Sequence, residues 1–90
     1  MTVTLEGTYE VSPQVALRPE PFGALAYHYG NRRLVFVRKP ELVSLLDRLA
    51  AHTSLGAALD ASGIAVRRWP AFVTALSELE NSEIIRARAA

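Results

Sequence analysis

The chain has 90 residues, with ten Lys and Arg side chains against nine Asp and Glu, and a formal net charge of +1. Half of the residues are hydrophobic, which suits one folded domain rather than a disordered segment. The absence of cysteine excludes disulfides, zinc–thiolate sites and iron–sulfur clusters on this chain. No apolar run reaches the ~20 residues needed to cross a bilayer, and no signal peptide is visible. We therefore expect a single cytoplasmic domain over residues 1–90, ordered over about 12–85, without a membrane partner.

The first half of the chain predicts three short antiparallel strands. Residues 1–12 lack periodicity and are interpreted as a loosely held arm. Val15 to Arg18 alternate in polarity and stop at two prolines, and Leu25 to Tyr29 form a second strand. Gly30-Asn31 predicts a two-residue hairpin turn with positive φ. Leu34 to Lys39 then form a third strand, which has the highest β-propensity of the chain.

The second half predicts three helices. Pro40 opens the first, which runs to about Ala51 with one stripe of leucines. The second is capped by Thr53 or Ser54 and stops at Ser62-Gly63. The third runs from Pro70 to about Asn81-Ser82, followed by a last turn or short extension at Ile84-Ile85, and residues 86–90 are expected to fray. The fold class is therefore α+β, with a three-stranded antiparallel sheet followed by three α-helices.

The sequence contains no pattern typical of catalysis. His28 is interpreted as an exposed strand residue and His52 as a residue at a helix end, because neither has an acid–base partner at a telling spacing. The glycines are isolated and cannot form a phosphate-binding loop. We expect neither enzymatic activity nor a bound cofactor or metal.

A winged-helix DNA-binding regulator is the alternative function. The last two helices, with Gly63 between them, could form a helix-turn-helix. However, Pro70 would then interrupt the recognition helix, and a helix starting at Pro70 would present Glu78 to DNA. We therefore do not expect nucleic acid as a partner, although the alternative stays open.

The third strand has an unbroken apolar run, so at a sheet edge it would offer free N–H and C=O groups to another extended chain. Two basic pairs have two possible interpretations: Arg38 and Lys39 at the end of this strand, and Arg67 and Arg68 before the third helix. They either rim a groove for an acidic or amphipathic peptide or form ordinary solvated surface. The same edge could pair with a second copy, so the chain is expected to be a monomer or a strand-mediated homodimer.

The segment Pro13 to Tyr29, with its Arg18-Pro19-Glu20-Pro21-Phe22-Gly23 core, closely resembles the mycofactocin peptide-chaperone family (MftB). Arg33 to Val37 and Pro70-Ala71-Phe72 are similar to that family too. The family is a branch of the PqqD-like domains, the RiPP recognition elements. The resemblance implies a winged-helix-like fold that binds the leader of a ribosomally made precursor peptide as an added antiparallel strand. It also implies presentation of the peptide to a radical S-adenosylmethionine (SAM) maturase in mycofactocin biosynthesis.

The resemblance further implies a peptide site between the third strand and the third helix. Backbone pairing and side-chain pockets are expected from Leu34, Val35, Phe36, Val37 and Arg38. The helix side is expected to consist of Arg67, Arg68, Phe72, Val73 and Leu76. Which strand residues face the core stays open, because all four from Leu34 to Val37 are apolar. Proline at Val37, or a charge at Val35 or Val37, is expected to weaken peptide binding without unfolding the domain.

Overall fold

The computed structural model of the chain describes residues 3–88, which form two small sheets and three helices. The strands are β1 (Tyr9–Val11), β2 (Val15–Glu20), β3 (Gly23–His28), β4 (Leu34–Val37) and β5 (Ile85–Ala87). The helices are α1 (Pro40–Arg48), α2 (Leu55–Ala61) and α3 (Trp69–Asn81), and 3-10 turns cover Leu49–Ala51 and Val66–Arg68. The α+β class and the order of three-stranded antiparallel sheet and three helices are thus confirmed, while the winged-helix likeness stays a prediction.

The main sheet has the strand order β2-β3-β4, with every pair antiparallel. Because side chains alternate across a strand, one face of this sheet is inner and the other outer. The inner face packs on the helices and carries Val15, Leu17, Ala24, Ala26, Val35 and Val37. The four residues of β4 therefore lie on two faces: Val35 and Val37 point inward, and Leu34 and Phe36 point outward.

The core lies between the inner face and the three helices. Helix α1 contributes the predicted leucine stripe of Leu42, Leu45 and Leu46, with Leu49 just beyond it. Ser54 caps α2, and its hydroxyl accepts a hydrogen bond from the Ala57 N–H at 3.1 Å. Apolar periodicity and capping therefore explain the helices well.

The interpretation of the chain ends was wrong. Strand β1 pairs with β5 in a second sheet, with Tyr9 opposite Ala87 and Val11 opposite Ile85. Val3 and Tyr9 are buried, as are Ile84 and Ile85, so the described part of the first twelve residues is not a loose arm. The described part of the predicted frayed end is also held, because Arg86 pairs with Glu10 and Arg88 donates to backbone carbonyls. Residues 1–2 and 89–90 lie outside the described residues.

The β3–β4 turn differs from the predicted Gly30-Asn31 hairpin. Arg32, rather than Gly30, adopts positive φ (62°). The turn is instead organised by His28, whose Nδ1 accepts hydrogen bonds from the N–H groups of Gly30 (3.0 Å) and Asn31 (3.1 Å). His28 is buried on the inner side of the sheet, so its predicted exposure was wrong.

Within residues 3–88, no helix combines the length and the apolar character that crossing a bilayer requires.

Candidate peptide-binding groove

Strand β4 is an edge of the main sheet, with β3 as its sole neighbour among the described strands. The His28 N–H donates to the Arg33 carbonyl at 2.9 Å, so a hydrogen bond joins these two facing residues across the strands. Pairs of this kind alternate along an antiparallel ladder, which makes Ala26–Val35 and Ala24–Val37 the next ones. The N–H and C=O groups of Leu34 and Phe36 therefore point away from β3, toward the open edge.

The opposite edge of the sheet, β2, contains a proline and is therefore less suited to pairing with another strand. Pro19 pairs with Ala24, and the Tyr29 N–H donates to the Gln14 carbonyl at 2.8 Å. By the same alternation, the nitrogen of Pro19 faces away from β3. Its missing N–H thus costs no bond within the sheet and removes a donor from the outer edge. The two edges differ, and β4 is the one able to accept another strand.

A groove of about 330 Å³ runs beside the β4 edge, between this strand and helices α1 and α3. On the strand side it is lined by Val35, Phe36, Val37, Arg38 and Lys39. On the helix side it is lined by Leu42, Ala75, Glu78, Leu79 and Ser82. Leu42 and Leu79 are buried and give the groove an apolar floor, while Arg38 and Lys39 are exposed and make its strand side basic.

Val37 belongs to the core as well as to the wall of this groove. Its side chain is 2% exposed, and it pairs with Ala24. This burial argues against the expectation that a charge or proline at Val37 spares the fold, because either change would disrupt the core or the ladder. Phe36 is 52% exposed and is the better position for such a test.

The β2–β3 turn fixes the position of β4. Gly23 has a φ of +146°, and a Cβ at this residue would lie 2.1 Å from the Val37 carbonyl oxygen. The Phe22 ring packs edge-on against Phe36 with centroids 6.0 Å apart. The Arg38 guanidinium lies 5.8 Å from the Phe22 ring centroid and 5.3 Å from that of Phe36. The proline-rich segment and β4 thus form one packed unit.

The two arginines before α3 differ in their surroundings. Arg68 holds Glu41 at the start of α1 through two hydrogen bonds, Nη1 to Oε2 at 2.9 Å and Nη2 to Oε1 at 2.5 Å. These bonds, with the charge of Arg68, lower the pKa of Glu41 and raise the pKa of Arg68. Arg68 also lies over the Phe72 ring, at 5.5 Å. Arg67 is exposed and forms no ion pair with any described residue.

The structure brings together part of the predicted site. Val35, Phe36, Val37 and Arg38 line the groove, and Leu34 precedes them on the same edge. Phe72 and Leu76 are buried in the core. Val73 lines a different cavity, of about 600 Å³, together with Val3, Leu5 and Trp69. Arg67 and Arg68 do not line the groove beside β4.

Sequence reasoning missed the helix residues that do line the groove. Ala75, Glu78, Leu79 and Ser82 follow the spacing i, i+3, i+4, i+7, so they share one face of α3 and its end. This face lies beside the one that carries Phe72, Val73 and Leu76, the residues of α3 that were predicted to line the site. The signal in the sequence that could have located the groove was this second face of α3, on which small and polar residues accompany Leu79.

Among the described residues, no three His, Asp or Glu side chains come together as metal ligands.

Comparison with known proteins identifies the family to which the sequence belongs. Residues 8–86 match the model of the peptide chaperone MftB family. The chain belongs to this family. The peptide chaperone MftB of Mycolicibacterium smegmatis is 38% identical over 78 residues, which cover 87% of this chain and 76% of the relative. The MftB proteins of Mycobacterium ulcerans and Mycobacterium tuberculosis are 36% and 35% identical, over 86% and 89% of this chain and 71% and 73% of theirs.

No solved structure matches the chain with statistical significance. Membership of the MftB family therefore rests on sequence, and the groove beside β4 is described from this chain alone. The matched residues include all the strands and helices that build the main sheet and the groove. The family and the groove geometry are thus independent observations on the same part of the chain.

Proposed function

We propose that this domain is a non-catalytic peptide chaperone that binds the leader of a precursor peptide as an added strand on β4. The observation that carries the proposal is the open β4 edge with a groove beside it. The peptide would pair with the outward N–H and C=O groups of Leu34 and Phe36, antiparallel to β4. Strand addition of this kind derives affinity from the backbone and specificity from pockets for alternate side chains.

The groove indicates which leader would fit. Alternate side chains of an added strand would point toward α3, above the apolar floor of Leu42 and Leu79. The side chains near the end of β4 would lie close to Arg38 and Lys39, which favour carboxylates. A segment that alternates apolar and polar residues, with an acidic residue at one end, satisfies both conditions.

The modification chemistry would take place on a partner enzyme, which in mycofactocin biosynthesis is a radical SAM maturase. The chain has no cysteine to hold an iron–sulfur cluster. The domain's contribution would be to order a flexible leader and hold it at a fixed place. The named relatives support this role, because each is a peptide chaperone MftB.

Calorimetric titration with the leader half of a mycofactocin-type precursor, at low and high salt, tests the proposal. We expect saturable binding at about one to one, weakened only modestly by salt, because backbone pairing and apolar contacts dominate. A peptide of the same composition in scrambled order is the control. Equal affinity for both peptides, or no binding of the leader, would contradict the proposal.

A further inference from the structure

The outer face of the main sheet carries an apolar surface that lies outside the core. It consists of six side chains on β3, β4 and the flanking turns: Phe22, Leu25, Tyr27, Tyr29, Leu34 and Phe36. None of them belongs to the core or packs against it. Tyr29, Leu34 and Phe36 are 63%, 53% and 52% exposed. Exposed apolar surface concentrated in one place is typical of a protein–protein interface.

The outer face is ordered by contacts between its own side chains. Tyr27 and Tyr29 pack edge-on with ring centroids 5.2 Å apart, and Phe22 and Phe36 do so at 6.0 Å. Leu25 and Leu34 lie between the two aromatic pairs in the sheet register. Rigid aromatic groups of this kind are the usual anchors of interfaces, since little side-chain entropy is lost when they are covered.

The charges around the outer face are mostly positive. Arg18 lies on it, opposite Leu25 in the register, and Arg38 lies over its Phe22 and Phe36 rings. Arg32, Arg33 and Lys39 are exposed at the ends of the same strands. Glu20, two residues after Arg18 on the same strand, is acidic and pairs with Arg18 at 3.2 Å. A symmetric contact between two copies would bring these cations together, so a second copy of the chain is disfavoured.

The outer face is continuous with the β4 edge. A peptide strand added there would place every second side chain on the outer face, beside Leu34 and Phe36. A protein that covered this face would therefore touch the bound peptide and the chaperone together. We propose that the outer face is the docking surface for the maturase, through a maturase patch with an apolar centre and surrounding carboxylates. This inference rests on the proposed function and assigns the partner to a surface.

Two outer-face variants and one matched control test the docking surface. Arg18→Glu/Tyr29→Asp changes two outer-face side chains that lie off β4, and Arg18→Glu alone reverses the charge at the far side of this face. Val66→Asp makes the same kind of change at an apolar residue that is 68% exposed in the turn before α3. Circular dichroism and thermal melting would confirm that each variant is folded. The purified maturase and the labelled leader are then titrated separately against each protein.

We expect the double variant to weaken maturase binding by at least about tenfold. Arg18→Glu should weaken it less and reduce its salt dependence, and Val66→Asp should leave it unchanged. Leader affinity should stay within about twofold for all three. Unchanged maturase affinity in the double variant would overturn the inference, as would an equal loss in Val66→Asp or a loss of leader binding. A wild-type dimer that the double variant dissociates would assign the face to self-association instead. If the wild type failed to bind leader, the proposed function would fail, and the maturase titration would still decide the docking surface.

Discussion

At the level of single residues, the proposed peptide binding depends on which backbone groups of β4 are free. Phe36 combines an outward N–H with a half-exposed side chain, whereas Val37 uses both its backbone and its side chain inside the fold. The two residues differ because backbone groups along an antiparallel edge strand point alternately toward the neighbouring strand and away from it. Under the proposed function, neighbouring residues of one strand would therefore contribute separately to stability and to peptide binding.

Phe36→Pro should separate binding from folding. Proline removes the N–H that would bond the leader, but it breaks no bond to β3, since edge positions of this kind tolerate proline. We expect leader affinity to fall about tenfold, the worth of roughly one good hydrogen bond. Phe36→Ala, which loses the ring but keeps the N–H, is the matched control. Equal losses in the two variants would show that the ring, and not the backbone, binds the leader.

Gly23 is the second residue on which the site depends. Its φ of +146° and its close approach to the Val37 carbonyl both require the absence of a side chain. Gly23→Ala should lower the free energy of unfolding by about 2 kcal/mol, because β4 must shift or the backbone must strain. Gly56→Ala in α2 is the control, since a Cβ there would make only an ordinary contact at 3.5 Å. Chemical denaturation would measure both, and equal stability of the two variants would refute the close approach.

The orientation of β4 could not be predicted from its sequence alone. Leu34, Val35, Phe36 and Val37 are all apolar, so period-two alternation carries no signal within this strand. The orientation follows from the pairing with β3, in which the buried Ala24 and Ala26 lie opposite Val37 and Val35. The strand itself, and its suitability as an open edge, could be predicted from its high β-propensity and its lack of interior proline.

At the level of elements, the groove depends on how α1 and α3 are held relative to β4. The pair of Glu41 and Arg68 joins the starts of these two helices. Because the pKa of Glu41 is lowered in the fold, its contribution is complete above the ordinary glutamate range and is lost as the pH falls through the lowered value. Both side chains are solvent-exposed, so we expect the effect to be small and screened by salt.

Arg68→Gln should therefore lower the melting temperature slightly at neutral pH and not at all once Glu41 is protonated. Arg67→Gln, one residue earlier and without an ion pair among the described residues, should change little at either pH. Differential scanning calorimetry at neutral and strongly acidic pH would measure both. A deficit for Arg68→Gln that persisted in acid would show that the pair does not explain it.

The β1–β5 sheet is the element that sequence reasoning missed. Each strand has only three residues, too few for a periodicity to stand out, and the partners lie at opposite ends of the chain. The useful signal was Ile84-Ile85, a β-branched pair that is fully buried. Pairing between strands so far apart in sequence depends on burial in the folded protein, and local β-propensity does not predict it.

Ile84→Ala should cost about 2 to 5 kcal/mol of unfolding free energy, as expected for removal of a fully buried side chain. Arg86→Ala, two residues later on the exposed side of β5, loses only a surface ion pair with Glu10 and should cost under about 1 kcal/mol. Urea denaturation of the two variants tests this. Similar small losses would mean that the end of the chain is not part of the core.

At the level of the whole molecule, helix periodicity and strand propensity predicted the fold class and the order of its main elements. The strand residues predicted for the peptide site lie along the groove beside β4, whereas the predicted helix residues do not line it. The reason is that the apolar stripe of α3 marks the core-facing side, as Phe72 and Leu76 show, whereas the groove uses the adjoining face. Apolar periodicity identifies the buried face of a helix, whereas a groove is lined by residues at the border between buried and exposed surface.

Amide hydrogen exchange measured by NMR, with and without leader peptide, tests the central claim most directly. In the free domain, the amides of Val35 and Val37 should exchange slowly, because they bond to β3, while those of Leu34 and Phe36 exchange quickly. Addition of the leader should slow exchange at Leu34 and Phe36 and leave the other pair nearly unchanged. New protection confined to the β2 edge or to the N-terminal end of α3, or no change along β4, would contradict strand addition at this edge.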